Sequence, residues 1–169
     1  RSTAIPLRHD PMTETTLRTV DNNATDPVLS VAEITHLVEE HFPQLGAPGE
    51  RIVIEEVGPG TARVRMRAGD HMLRPGGTVS GPAMFTLADV AIYVAILGGK
   101  GSAALQAVTS NLSISFLSRP EPRDIIAHVR LLKMGRRLAF GEVAIYSDGT
   151  AEMVAHATAT YAMPPESTR

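Results

Sequence analysis

Between Pro82 and Leu97 the chain runs sixteen residues with a single charged side chain, Asp89, and no other charge occurs from Pro75 to Gly99. The run is shorter than the ~20 residues a bilayer span requires, so it is expected to be a helix buried in a protein core. A helix apolar on nearly every side must be enclosed by other elements. Gly76-Gly77-Thr78-Val79-Ser80-Gly81-Pro82 is a turn-rich lead into it, and Gly98-Gly99 is expected to end it.

The flanking segments supply the enclosure. Ser30 is a candidate N-cap with Glu33 three residues on, and Val31, Ile34, Leu37 and Val38 follow at helical spacing until Pro43. Ile52 to Val57 and Thr61 to Arg67 flank Gly58-Pro59-Gly60, with Arg63, Arg65 and Arg67 alternating with Val64 and Met66, which predicts a hairpin. After Gly101, four runs read as strands: Ala104 to Leu117, Asp124 to Met134, Arg137 to Ser147 and Ala151 to Tyr161. Alternation in the first and last predicts one buried face each. Asp148-Gly149 and Gly135 mark tight turns, so the four are expected to form an antiparallel meander. Helix, two strands, long apolar helix, four strands is an α+β plan in which a strongly curved sheet wraps the second helix.

A length of 169 residues with 43% hydrophobic content fits one compact domain. We place it at residues 30–163, with a polar, flexible arm at 1–29 and a tail at 164–169. The arm before Met12 reads as an added or overextended start, and Arg1 to Pro11 lacks the apolar stretch of a signal peptide, so a cytoplasmic, non-membrane protein is expected. Formal net charge is -2, which gives no basic field for nucleic acid. The absence of cysteine excludes disulfides, thiolate metal sites and a cysteine nucleophile. The six histidines show no metal-ligand spacing, so no metal is expected; His71, just ahead of the glycine loop, is a candidate pocket residue.

Chemistry is expected around Asp89, because a carboxylate within an apolar helix is costly unless it is used or paired. It is either a nucleophile or general base, or a structural carboxylate bonded to a neighbouring donor. Ser80-Gly81-Pro82 opens the same helix, where unpaired N–H groups suit an oxyanion; since Pro82 lacks a donor, the choice falls on Gly81 or Ala83. Eight residues at 1.5 Å rise separate Gly81 from Asp89 by ~12 Å, too far for one carbonyl to touch both. If both act on one substrate, they come from different subunits of a homodimer. Lys133, Arg136 and Arg137 around Gly135, with Arg119 beside Pro120, are either solvated hairpin charge or a grip for a phosphate-bearing ligand.

The stretch Gly77 to Asp89 (GTVSGPAMFTLAD) resembles the helix motif of the phenylacetate-degradation (PaaI-like) hotdog thioesterases. Val108 to Pro120 is similar to that family's next strand, and Lys133-Met134-Gly135-Arg136-Arg137 to its basic turn. The resemblance covers about Ile52 to Pro164. It implies a hotdog fold, a curved antiparallel six-stranded sheet around a long central helix, assembled as dimers and often tetramers. It also implies hydrolysis of acyl-CoA with no cofactor beyond the coenzyme A of the substrate. By position, Asp89 matches the family's carboxylate, Gly81 its carbonyl-polarising N–H, and Thr109 a hydroxyl that positions water. Arg119, Arg136 and Arg137 match contacts to coenzyme A phosphates. Two positions depart: Arg74 stands where the family has Asn, and Ser80 where it has His. Hence one alternative to a thioesterase is a non-catalytic acyl-CoA or aryl ligand-binding protein; a hydratase or dehydratase of the same fold ranks last, because the chain lacks the paired Asp and His arrangement that those hotdog enzymes place in a loop before the central helix.

Overall fold

The computed structural model describes residues 26–43 and 51–165; most of the arm expected at 1–29 and the end of the tail lie outside them. Helix α1 (Val31–His41) starts at the predicted capping box, in which Ser30 and Glu33 bond each other's backbone N–H reciprocally. It lays Ile34, fully buried, against the core.

Strands β1 (Ile52–Gly58) and β2 (Thr61–Met66) form the expected hairpin. A short 3-10 turn at Asp70–Met72 and a two-residue ladder of β3 (Leu73–Arg74) with β4 (Thr78–Val79), not foreseen, then fold the glycine loop back on itself. Helix α2 (Gly81–Lys100) follows, and after it come β5 (Val108–Phe116), β6 (Ile125–Met134), β7 (Leu138–Ser147) and β8 (Met153–Ala162). All six long strands make one antiparallel sheet in the order β1-β2-β6-β7-β8-β5. The expected four-strand meander holds only for β6, β7 and β8; β5 lies outside β8 at the sheet edge, and β2 takes the place beside β6.

Helix α2 is long and apolar enough to pass for a membrane span by composition alone, but it is mostly buried beneath the sheet. Its end differs from expectation. Gly98 and Gly99 lie inside the helix; Gly98 is a close-approach residue, since a Cβ there would collide with Val57 Cγ1 of β1, whereas one on Gly99 would meet only the flexible end of Met134 of β6. The stop is Gly101, in the left-handed region at φ 67°, whose N–H reaches Leu97 O. Enclosure is also incomplete. Pro82, Phe85 and Thr86 are exposed, and Asp89 is only partly buried, since β5 beside them is an edge strand. For the same reason β5 lacks the fully buried face its alternation predicts: Leu112 and Ile114 are half-covered, and Val108 and Phe116 are 61% and 53% exposed.

Candidate active site

The first turn of α2 offers four backbone positions that no intrahelical bond can satisfy. Ser80, extended at φ -77° and ψ 152°, caps it, and its Oγ accepts from Ala83 N–H at 3.3 Å. Its carbonyl accepts from Met84 N–H at 3.2 Å. Pro82 has no donor. Of the two N–H groups proposed from the sequence, Ala83 is therefore engaged by the cap, and Gly81 N–H has no acceptor among the described residues. Its lack of a side chain matters as well, because a Cβ there would sit 3.1 Å from the Phe116 ring. The Ser80 hydroxyl thus shapes the helix start through one lone pair, and its O–H remains a donor.

Two turns further on, Asp89 faces the β5–β8 edge of the sheet. Thr109 Oγ1 donates to Asp89 Oδ1 at 2.7 Å, and Tyr161 Oη approaches the same oxygen at 2.6 Å and the Asp89 carbonyl at 2.8 Å. Thr109 therefore bonds the carboxylate directly. The two hydroxyls come together because Thr109 and Tyr161 are partners across the β5–β8 ladder, immediately before a register shift between Thr109 and Asn111. Burial first, then the bond to Asp89, pushes the Tyr161 phenol well above its ordinary range, so it stays a donor. No cation bonds Asp89 among the described residues, in contrast to Glu55, Asp124, Asp148 and Glu142, each paired with arginine. Tyr161 was missed in the sequence, where an aromatic closing a strand of small residues looks like ordinary core.

The remaining predicted residues fall into three clefts. One of about 430 Å³ holds Gly81 with Met84, Phe116, Arg74 and Arg119. A second, about 230 Å³, holds His71 and Ser80 with Met66 and Thr86. The third lies by the far end of α2, about 380 Å³, between Lys100, Gln106, Arg136 and Met163, with Arg137 lining an adjoining hollow. Arg74, Arg119, Arg136, Arg137 and His71 are exposed and carry no carboxylate partner among the described residues. Asp89 and Thr109 line none of these three. The single chain thus separates what the sequence proposes as one site into a donor end, a carboxylate centre and a cationic far end along a helix of 20 residues, ~30 Å long. Among the described residues no three His, Asp or Glu side chains converge as a metal site.

Comparison with known proteins gives this arrangement a context. The model of the thioesterase superfamily matches residues 76–154, from the glycine loop into β8. The crystal structure of a candidate thioesterase from Silicibacter sp. TM1040 is 40% identical, covers 83% of this chain and 96% of its own, and superposes with a TM-score of 0.76. Two more distant structures share the fold. A point mutant of the phenylacetic acid degradation protein PaaI from Thermus thermophilus is 23% identical, with TM-score 0.59 and coverages of 68% and 94%. A hypothetical thioesterase from Streptococcus pneumoniae, solved with coenzyme A, is 22% identical, with TM-score 0.61 and coverages of 69% and 88%.

Proposed function

We propose, from the premise that this chain belongs to the thioesterase superfamily and is a thioester hydrolase of the hotdog fold, that its substrate is an acyl-CoA and that Asp89 carries the reaction. The observation that carries the proposal is the state of Asp89: a partly exposed carboxylate held by two neutral hydroxyls and neutralised by no cation among the described residues. Glu55, Asp124, Asp148 and Glu142, four other partly buried acids at the sheet, each take an arginine, and Asp89 does not. Coenzyme A as the leaving group is supported by its presence in the Streptococcus pneumoniae relative and by Arg74, Arg119, Arg136 and Arg137, which have no carboxylate partner among the described residues.

Gly81 N–H would donate to the thioester oxygen as it gains charge, and Asp89 would act on the carbonyl carbon, either directly or by taking a proton from the attacking water. The C–S bond breaks, coenzyme A leaves as the thiolate and is protonated, and water supplies the hydroxyl of the released acid. Because ~12 Å of helix separates Gly81 from Asp89, the two serve one carbonyl only if they belong to different subunits. A homodimer with two shared sites follows. The unpaired edge of β5 and the exposed Phe85, Val108, Phe116 and Leu117 near it are the surface that supports such pairing.

The test is release of free coenzyme A from short, medium, long and aromatic acyl-CoA esters by the parent protein and by Asp89→Asn. A loss of ~100-fold or more in kcat with the fold intact is expected of a missing nucleophile or base. Acyl-CoA binding without turnover in the parent protein would favour the ligand-binding reading, for which the specific support is Ser80, whose hydroxyl caps the helix, and Arg74 lining the Gly81 cleft.

A further inference from the structure

We infer that Tyr161 is a positioning residue for this hydrolysis: with Thr109 it holds Oδ1 of Asp89 in one rotamer and leaves Oδ2 as the oxygen that reacts. The inference rests on the assignment of Asp89 as the catalytic carboxylate. Its geometry is independent of that assignment. Both hydroxyls converge on Oδ1, at 2.7 and 2.6 Å, and no donor reaches Oδ2 among the described residues. Tyr161 also lies 2.8 Å from the Asp89 carbonyl, so a single phenol ties the side chain and the main chain of that residue together.

The phenol is itself fixed. Tyr161 is 3% exposed, its ring stacks on Tyr93 with centroids 6.4 Å apart, and Tyr93 meets Phe42 edge-on at 5.3 Å and donates to Leu105 O at 2.8 Å. A chain of three aromatic rings thus runs from the end of α1 to the carboxylate. Thr109, exposed on an edge strand, has no such bracing. A carboxylate on a partly open helix face turns freely about its side-chain torsions unless an ordered donor fixes it, and misplacement by a fraction of an ångström is costly to rate while ground-state binding is hardly touched.

Tyr161→Phe keeps the ring and its packing and removes one hydroxyl. Its kcat is expected to fall ~10-fold or more with KM within ~2-fold of the parent, since only the placement of the reacting group is lost. Combining it with Asp89→Asn is expected to cost nothing beyond Asp89→Asn alone, because a group that acts through the carboxylate has no effect once the carboxylate is gone. Thermal unfolding of Tyr161→Phe serves as the packing control: a cooperative melt well above the assay temperature is expected, so that the lower kcat is read on folded protein. If Asp89→Asn abolishes turnover while Tyr161→Phe keeps the parent kcat, or if the double variant loses a further factor as large as Tyr161→Phe does alone, the inference is wrong and the Asp89 assignment stands. If Asp89→Asn leaves kcat unchanged, the assignment itself falls and this inference with it.

Discussion

Gly81 combines two properties that a larger residue would set against each other. Its N–H is the free donor of the α2 first turn, and its missing side chain keeps the space beside Phe116 open. A methyl group there would meet the ring at 3.1 Å, but Phe116 is 53% exposed and can swing outward at little cost. Gly81→Ala is therefore expected to fold with stability within about 1 kcal/mol of the parent, the helical preference for alanine offsetting the contact. Turnover should fall by ~10-fold or more if Gly81 N–H is the carbonyl donor proposed above, since the methyl narrows the cleft at that N–H. Parallel thermal melts and coenzyme A release assays check both halves. A melt shifted far downward would mean that the glycine is present for packing alone. Asp89 stood out in the sequence because charge is so rare in that run. Tyr161 did not, because its partner Thr109 lies 52 positions away and only the β5–β8 register brings the two hydroxyls to one oxygen.

The elements themselves were legible where a local rule acts alone. The capping box of α1, the β1–β2 hairpin and the turns at Gly135 and Gly149 each follow from a few adjacent residues. Gly98-Gly99 and the exposure of β5 were misread for a common reason: each depends on which strand lies alongside, and strand order is not a local property. The same non-local order sets the acid stability of the sheet. Arg65 on β2 bonds Glu55 of β1, Asp124 just before β6 and Asp148 just after β7, stitching three connections with one guanidinium. Its bond holds the Asp148 carboxyl below the usual 3.8, and the Arg130 bond holds Glu142 below the usual 4.5. Carboxyls lowered in the folded state bind more protons once unfolded, so their stabilisation is present above about pH 4.5 and is lost as pH falls through the folded values. The urea midpoint is expected to fall steadily below that point. Arg65→Met should cost about 1–2 kcal/mol at pH 7 through the bonds to Glu55 and Asp124, and less at pH 3, below the ordinary Asp148 value of 3.8, where the stabilisation carried by that lowered carboxyl is being lost. An equal cost at both values would mean that the side chain contributes by packing and not by charge.

At the scale of the whole molecule, the separation of donor and carboxylate along α2 makes subunit sharing testable by activity alone. Suppose each site takes Gly81 from one subunit and Asp89 from the other. Asp89→Asn then disables both sites of its own homodimer, and so does Gly81→Val, whose branched side chain would fill the cleft beside Phe116. A heterodimer of the two variants is different. One of its sites joins the intact Gly81 of the Asp89→Asn subunit to the intact Asp89 of the Gly81→Val subunit, while the other site carries both lesions. Co-expression with two affinity tags and purification of the mixed species should recover about half the wild-type turnover per dimer, one working site of two, where either homodimer has almost none. A site contained within one subunit gives no recovery, because every copy then carries a lesion of its own. Recovery would also bear on the cationic far end of α2: the subunit that contributes Asp89 carries Arg136 and Arg137 beside the end of the same helix, about 16 Å of rise from Asp89 to Lys100. Their replacement by Ala in the Gly81→Val subunit should then raise the KM for acyl-CoA at the one working site, while the same change in the Asp89→Asn subunit should leave it alone.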